Sequence, residues 1–246
     1  RTIDSLIFDY ISLEYHETLM AAAGWQAEHN LESAIEKYKG RYILMVEGGI
    51  PTGENATFLT IGGHGKTGEQ SAIDASNNAL AIFAIGTCSS FGGVQAAIPN
   101  PTGAKALSKV TDKLVINVPG CPPIPEVMTG VIAHYVMFGN LPTLDNKGCP
   151  KQFYGNRIHD TCYRRPFFDA GMFANDFNDK GAQAGWCLYK LGCRGPETYA
   201  SCGNMRWWNG LSYPIQSGHG CIGCTSKNFW DNDPFYNRLP EFAGLG

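Results

Sequence analysis

Nowhere in the 246 residues is there a run of the roughly 18 apolar residues that a membrane-spanning helix needs. Charge is scarce as well. Charged residues make up 17% of the chain and the net charge is −3, which excludes the basic footprint of a nucleic-acid binder. The stretch GGHGKTG around residue 65 lacks the first glycine of a phosphate loop. Thr60 stands where the pattern G-x4-G-K-[ST] requires it, and no clean strand leads in. A second C-x2-C pair beside Cys221-x2-Cys224, which a zinc knuckle normally draws on, is also missing. The first residue is Arg1 and no signal-type segment precedes it, so a processed or truncated piece of a longer protein is expected.

Glycine is abundant: 30 of 246 residues, about 12% against a usual ~7%. Such an excess suits loops whose backbone amides must approach something anionic. Residues 1–154 alternate in the α/β manner. Leu6–Ile11, Tyr42–Val46, Leu80–Ile85 and Lys113–Val118 read as strands, the second as one buried on both faces. Helical spacing runs from Glu17 to Tyr38, over Glu69–Ala79, and over Pro125–Phe138 with Gly139 as its stop. This order predicts a doubly wound parallel sheet. Two of its strands run into cysteine, at Cys88 and Cys121, each in a Gly/Pro-rich loop. Ligands of open parallel sheets bind beyond the carboxyl ends of the strands, so both thiols are expected on one rim.

After about Tyr154 the periodicity fades, and residues 155–246 read as a second unit without an apolar core of its own. Six of the nine cysteines lie there and, with His159, read as His159-x2-Cys162, Cys187-x5-Cys193, Cys202 and Cys221-x2-Cys224. Zinc, disulfides and iron–sulfur clusters are all arithmetically open. Clusters account for more of the pattern: seven ligands make one set of four and one of three. Gly192, Gly195, Gly218, Gly220 and Gly223 can offer amides to the sulfurs, and Trp186, Trp207, Trp208, Phe229 and Trp230 can exclude water. His219, beside Cys221, is a candidate for the surrounding layer. The remaining histidines read as structural.

The stretches EYHETLMAAAG, IGTCSSFGGVQAA, INVPGCPPIP, IHDTCYRRPFFDAG, GWCLYKLGCRGPETY and GHGCIGC, spread over nearly the whole chain, resemble the small, electron-transferring subunit of nickel–iron hydrogenases. The resemblance implies a flavodoxin-like domain over 1–154 carrying a proximal [4Fe-4S] cluster, and a domain over 155–246 holding two more. His159, Cys162, Cys187 and Cys193 match the ligands of a distal [4Fe-4S] cluster. Cys202, Cys221 and Cys224 match those of a medial [3Fe-4S] cluster. Cys88 and Cys121 match two of four proximal ligands, while Cys149 matches none. Pro214 stands where relatives with a four-iron medial cluster place cysteine. Gly93 stands where oxygen-tolerant relatives carry an extra one, which implies the oxygen-sensitive type. The other two proximal ligands are expected in a C-x2-C loop ahead of Arg1, behind a twin-arginine export signal. The tail PFYNRLPEFAGLG is similar to tails that lead into a membrane anchor.

The activity so implied is reversible oxidation of H2 at a Ni–Fe centre held by a separate large subunit. This chain would relay the electrons to a cytochrome c or a membrane cytochrome b, in or facing the periplasm. The competing expectations are an iron–sulfur subunit of a respiratory NADH–quinone complex and a non-enzymatic module stapled by zinc or disulfides.

Overall fold

The computed structural model describes residues 3–232 and 235–239; most of the tail PFYNRLPEFAGLG lies outside or at the edge of them. The first element is a helix, α1 (Ile3–Asp9), where the sequence predicts a strand at Leu6–Ile11. Strand preference reflects packing against sheet neighbours more than an intrinsic backbone bias. Among the described residues this segment pairs with no strand, and Phe8 is 84% exposed. α2 (Gly24–Lys37) is shorter than the predicted helix from Glu17, because Ala23 is extended and Gly24 takes φ +55°.

β1 (Ile43–Glu47) is followed by a two-stranded hairpin, β2 (Thr60–Ile61) and β3 (Lys66–Thr67), and by α3 (Gly68–Asn77), which the Thr67 hydroxyl caps by accepting from the Gln70 amide. Next come β4 (Ala81–Ile85), α4 (Gly86–Phe91), β5 (Val115–Val118) and α5 (Pro125–Phe138). The last of these has the predicted limits. Proline sits in its first turn, and Gly139 closes it in the left-handed region at φ +65°.

β1, β4 and β5 form a parallel sheet in the order β1-β4-β5, with Ile43 opposite Ala81 and Ile85 opposite Val118. Alternation along the strands sends Phe83, Ile116 and Val118 to one face, against Val127 and Val131 of α5. Ile82, Ala84 and Val115 go to the other, against Ala72 of α3 and Leu107. Both faces are therefore covered. β1 departs from the prediction of a fully buried strand: among the described residues it pairs only with β4, and Met45 is 40% exposed.

From Tyr154 onward the chain runs in short turns and single helical turns. It nevertheless has an apolar cluster of its own, contrary to the sequence expectation. Ile158, Ala174, Leu188, Tyr213 and Ile215 pack together, and Cys193 and Cys221 are part of that cluster. No helix of the described residues is long and apolar enough to cross a membrane.

Candidate iron–sulfur sites

Cys88 and Cys121 each lie three residues beyond the paired ends of β4 and β5, Ile85 and Val118. The parallel register therefore carries both to one rim of the sheet. They are close enough for the Cys88 charge to push the Cys121 thiol upward, though burial pushes it more. The loop from Gly92 crowds this sulfur: a Cβ built on Gly93, which has φ +70°, would lie 2.5 Å from the Cys88 Sγ.

His159, Cys162, Cys187 and Cys193 line a single pocket together with Arg164 and Phe168. The four candidate ligands come from three separate segments, brought together beside the apolar cluster around Ile158 and Leu188. Cys202, Cys221 and Cys224 line a second cavity of about 500 Å³, which also reaches Cys121, Tyr154 and Pro214. Trp207 and Trp208 border it too, but Trp208 is 79% exposed and shields little. His219 lines the same cavity, with Nδ1 2.8 Å from the Gly220 carbonyl oxygen and Nε2 3.3 Å from the Tyr236 hydroxyl. Cys149 lies elsewhere, buried in the core under α5.

Hydrogen-bond donors point at the sulfurs. The Arg164 amide donates to Cys162 Sγ at 3.4 Å and the Tyr213 hydroxyl to the same sulfur at 3.5 Å. The Cys221 amide donates to Cys193 Sγ and the Gly223 amide to Cys221 Sγ, both at 3.3 Å. Burial pushes the thiols up, Cys187 to about 11 and Cys202 to about 12, and Cys193, Cys221 and Cys224 upward too. Burial, with Arg165 nearby, holds the His159 imidazole below its usual range and so in the neutral, ligating form. Ion pairs Arg157–Asp160 and Arg165–Asp169, at 2.9 and 2.7 Å, rim the histidine on the exposed side.

Three features of this site are not foreseen from the sequence. Arg164 is 5% exposed; its Nε donates to the Tyr163 hydroxyl and its Nη1 to the Trp186 carbonyl, each at 2.7 Å. No carboxylate among the described residues pairs with it. A buried cation requires an anion, and a cluster held by neighbouring thiolates is one. Tyr213 lies in none of the quoted motifs, and Thr87, although inside IGTCSSFGGVQAA, is marked there only as the neighbour of Cys88. Soft donors, amides aimed at sulfur and a buried guanidinium without a carboxylate partner among the described residues all fit iron–sulfur ligation. Among the described residues no group of three His, Cys, Asp or Glu side chains converges on a point as a single metal ion would need.

A parallel α/β sheet with thiols at its carboxyl rim, followed by a cysteine-rich unit with two sulfur-lined pockets, defines an iron–sulfur protein of the electron-transferring class. Residues 154–236 match the family model for the C-terminal region of the NiFe/NiFeSe hydrogenase small subunit, and residues 1–135 match that of the NADH ubiquinone oxidoreductase 20 kDa subunit. The chain is 61% identical over 251 residues to the quinone-reactive Ni/Fe-hydrogenase small chain of Wolinella succinogenes, covering 99% of this chain and 71% of that one. It is 53% identical over 245 residues to the uptake hydrogenase small subunit of Azotobacter vinelandii, covering 99% and 68%. The reduced, active NiFeSe hydrogenase of Desulfomicrobium baculatum superposes with a TM-score of 0.89 at 36% identity, over 96% of this chain and 90% of that one. The chain belongs to the small subunits of the nickel–iron hydrogenases. Membership makes it an enzyme subunit of the oxidoreductase class, with iron–sulfur clusters of its own and a large subunit that holds the Ni–Fe centre.

Proposed function

We propose that this chain carries electrons between the Ni–Fe centre of the large subunit and an external redox partner through three clusters in series. A proximal [4Fe-4S] cluster takes Cys88, Cys121 and two ligands outside this sequence. A medial [3Fe-4S] cluster takes Cys202, Cys221 and Cys224. A distal [4Fe-4S] cluster takes His159, Cys162, Cys187 and Cys193. The observation that carries the reading is the gathering of one set of four donors and one set of three into two separate pockets, the larger reaching Cys121. Pro214, on the wall of the larger one, offers no fourth thiolate, which favours three irons. Gly93 beside Cys88 favours the oxygen-sensitive type.

When bound, such clusters supply one-electron storage. The residues around them supply direction. A neutral imidazole in place of a thiolate leaves the distal cluster less negative and raises its potential. The buried Arg164 guanidinium and the Tyr213 hydroxyl act in the same sense. His159, half-buried behind its ring of ion pairs, suits an exit port.

The finer architecture belongs to the same proposal: a flavodoxin-like, doubly wound domain over 1–154 and a two-cluster domain over 155–246. The covered sheet faces and the separate apolar cluster after Tyr154 support this division. The acceptor is a cytochrome c or a membrane cytochrome b on the periplasmic side, and the name of the quinone-reactive relative favours the membrane route. His159→Ala in the intact heterodimer tests the relay. H2-driven reduction of an external acceptor should fall on the order of tenfold or more while H2/D+ exchange is retained. Equal loss of both activities contradicts it.

A further inference from the structure

Three hydroxyls flank Cys88, and they differ in where they reach. Ser90 bonds back within its own segment, to the Ala84 carbonyl at 3.1 Å, and the Ser89 hydroxyl has no partner among the described residues. Thr87, 1% exposed, reaches out. Its amide donates to the Gly120 carbonyl at 2.9 Å, and its Oγ1 accepts from the Gly120 amide at 2.9 Å. The same hydroxyl donates its proton to the carbonyl oxygen of Cys224. One side chain thus bonds the residue preceding Cys121 and the backbone of Cys224, and is itself adjacent to Cys88. It joins segments 33 and 137 residues away in sequence. The hydroxyl both donates and accepts, and its bond to the Gly120 amide is fully buried.

We propose that Thr87 is a positioning residue for electron transfer, whose hydroxyl locks the Cys121 loop to Cys224 and so fixes the gap between the proximal and medial clusters. The inference rests on the three-cluster reading and adds to it the part that sets one spacing. Electron transfer between clusters falls steeply with separation, so a clamp spanning this seam bears on rate rather than only on stability. Valine at this position keeps the shape but leaves the buried Gly120 amide and the half-buried Cys224 carbonyl without this partner. Serine keeps the hydroxyl.

The test uses the anaerobically purified heterodimer and its Thr87→Val and Thr87→Ser variants, with iron content, low-temperature EPR and freeze-quench kinetics as readouts. With iron content at the parent value, Thr87→Val should weaken the magnetic splitting of the medial signal by the proximal cluster. It should also slow electron equilibration between the two relative to the parent. Thr87→Ser should restore both. Parent-like splitting and kinetics in Thr87→Val overturn the proposal. Should the valine variant load too little iron, Thr87→Ala and Thr87→Ser decide. Poor loading in alanine with full loading and parent splitting in serine supports the hydroxyl clamp, and the same defect in serine overturns it. A parent protein without iron is the failure of the three-cluster reading instead, and is recognised before any variant is compared.

Discussion

Replacing Gly220 by alanine adds one methyl group where the chain has almost no space for it. A Cβ at this position would lie 3.0 Å from both Cα and Cβ of Cys193 and 3.2 Å from its nitrogen. These atoms cannot swing aside as the end of a long side chain would. The segment is also pinned on both sides of the contact: the Arg194 amide donates to the Cys221 carbonyl at 2.7 Å and the Cys221 amide to Cys193 Sγ at 3.3 Å. Gly220 does not occupy the left-handed region, so alanine meets no backbone penalty there and the cost is crowding alone. Overpacking of this kind costs typically 1–3 kcal/mol. About 2 kcal/mol in a chain of this size lowers Tm by roughly 4–8 °C. Relief of the contact should lengthen the Cys221 amide to Cys193 sulfur bond and shift the EPR signals of both clusters that meet at this seam. Gly218→Ala is the control. Its φ of +94° is unfavourable for alanine, about 1–2 kcal/mol, but no atom lies near its added carbon, so the signals should stay as in the parent. Calorimetry and EPR on the two heterodimers check this. A Gly220→Ala protein within about 0.5 kcal/mol of the parent, with unchanged signals, refutes the packing argument.

Pro214→Cys should give the medial cluster four-iron character, and an unchanged oxidised EPR spectrum would show that Pro214 is not the vacant ligand position. Tyr154→Phe removes a buried donor to the Pro119 carbonyl, which Tyr154 holds at 2.8 Å, and should cost about 1–3 kcal/mol in denaturant unfolding. Cys149 is buried, unligated in this account, and pushed up to about 12 by burial. Because its folded pKa lies above the unfolded value near 9, its contribution is full below about pH 8.5 and is lost as pH rises towards 12. By pH 10 the loss is on the order of 1 kcal/mol. The drop in Tm between pH 8 and 10 should therefore be smaller in Cys149→Ala than in the parent; equal drops would remove Cys149 as its source.

Where local chemistry decides an element, the sequence is readable: α5 starts on Pro125 and stops at Gly139, as the two residues dictate. The rim position of Cys88 and Cys121 was legible for a similar reason, since two apolar runs each end three residues before a cysteine. Burial was less legible. The apolar run at Tyr42–Val46 marks a strand but says nothing of its neighbours, and β1, at Ile43–Glu47, has one among the described residues. Leu6–Ile11 has strand-forming composition and no strand to pair with, so it lies largely in α1. The sets of four and three ligands rested on family motifs, because contacts such as Cys162 with Tyr213 or Thr87 with Cys224 join turns far apart in sequence. Arg164 was hidden for the opposite reason: an arginine beside another arginine reads as surface, and only the fold buries it.

The most direct measurement is iron and acid-labile sulfide in the anaerobically purified heterodimer, counted per small subunit with the full-length chain. Three clusters of the stated types require about eleven irons, and the Ni–Fe centre of the large subunit adds a twelfth to the heterodimer. Close to five in all would leave one cubane and none in the cysteine-rich unit, and a colourless protein with zinc in place of the cluster iron would contradict the account outright.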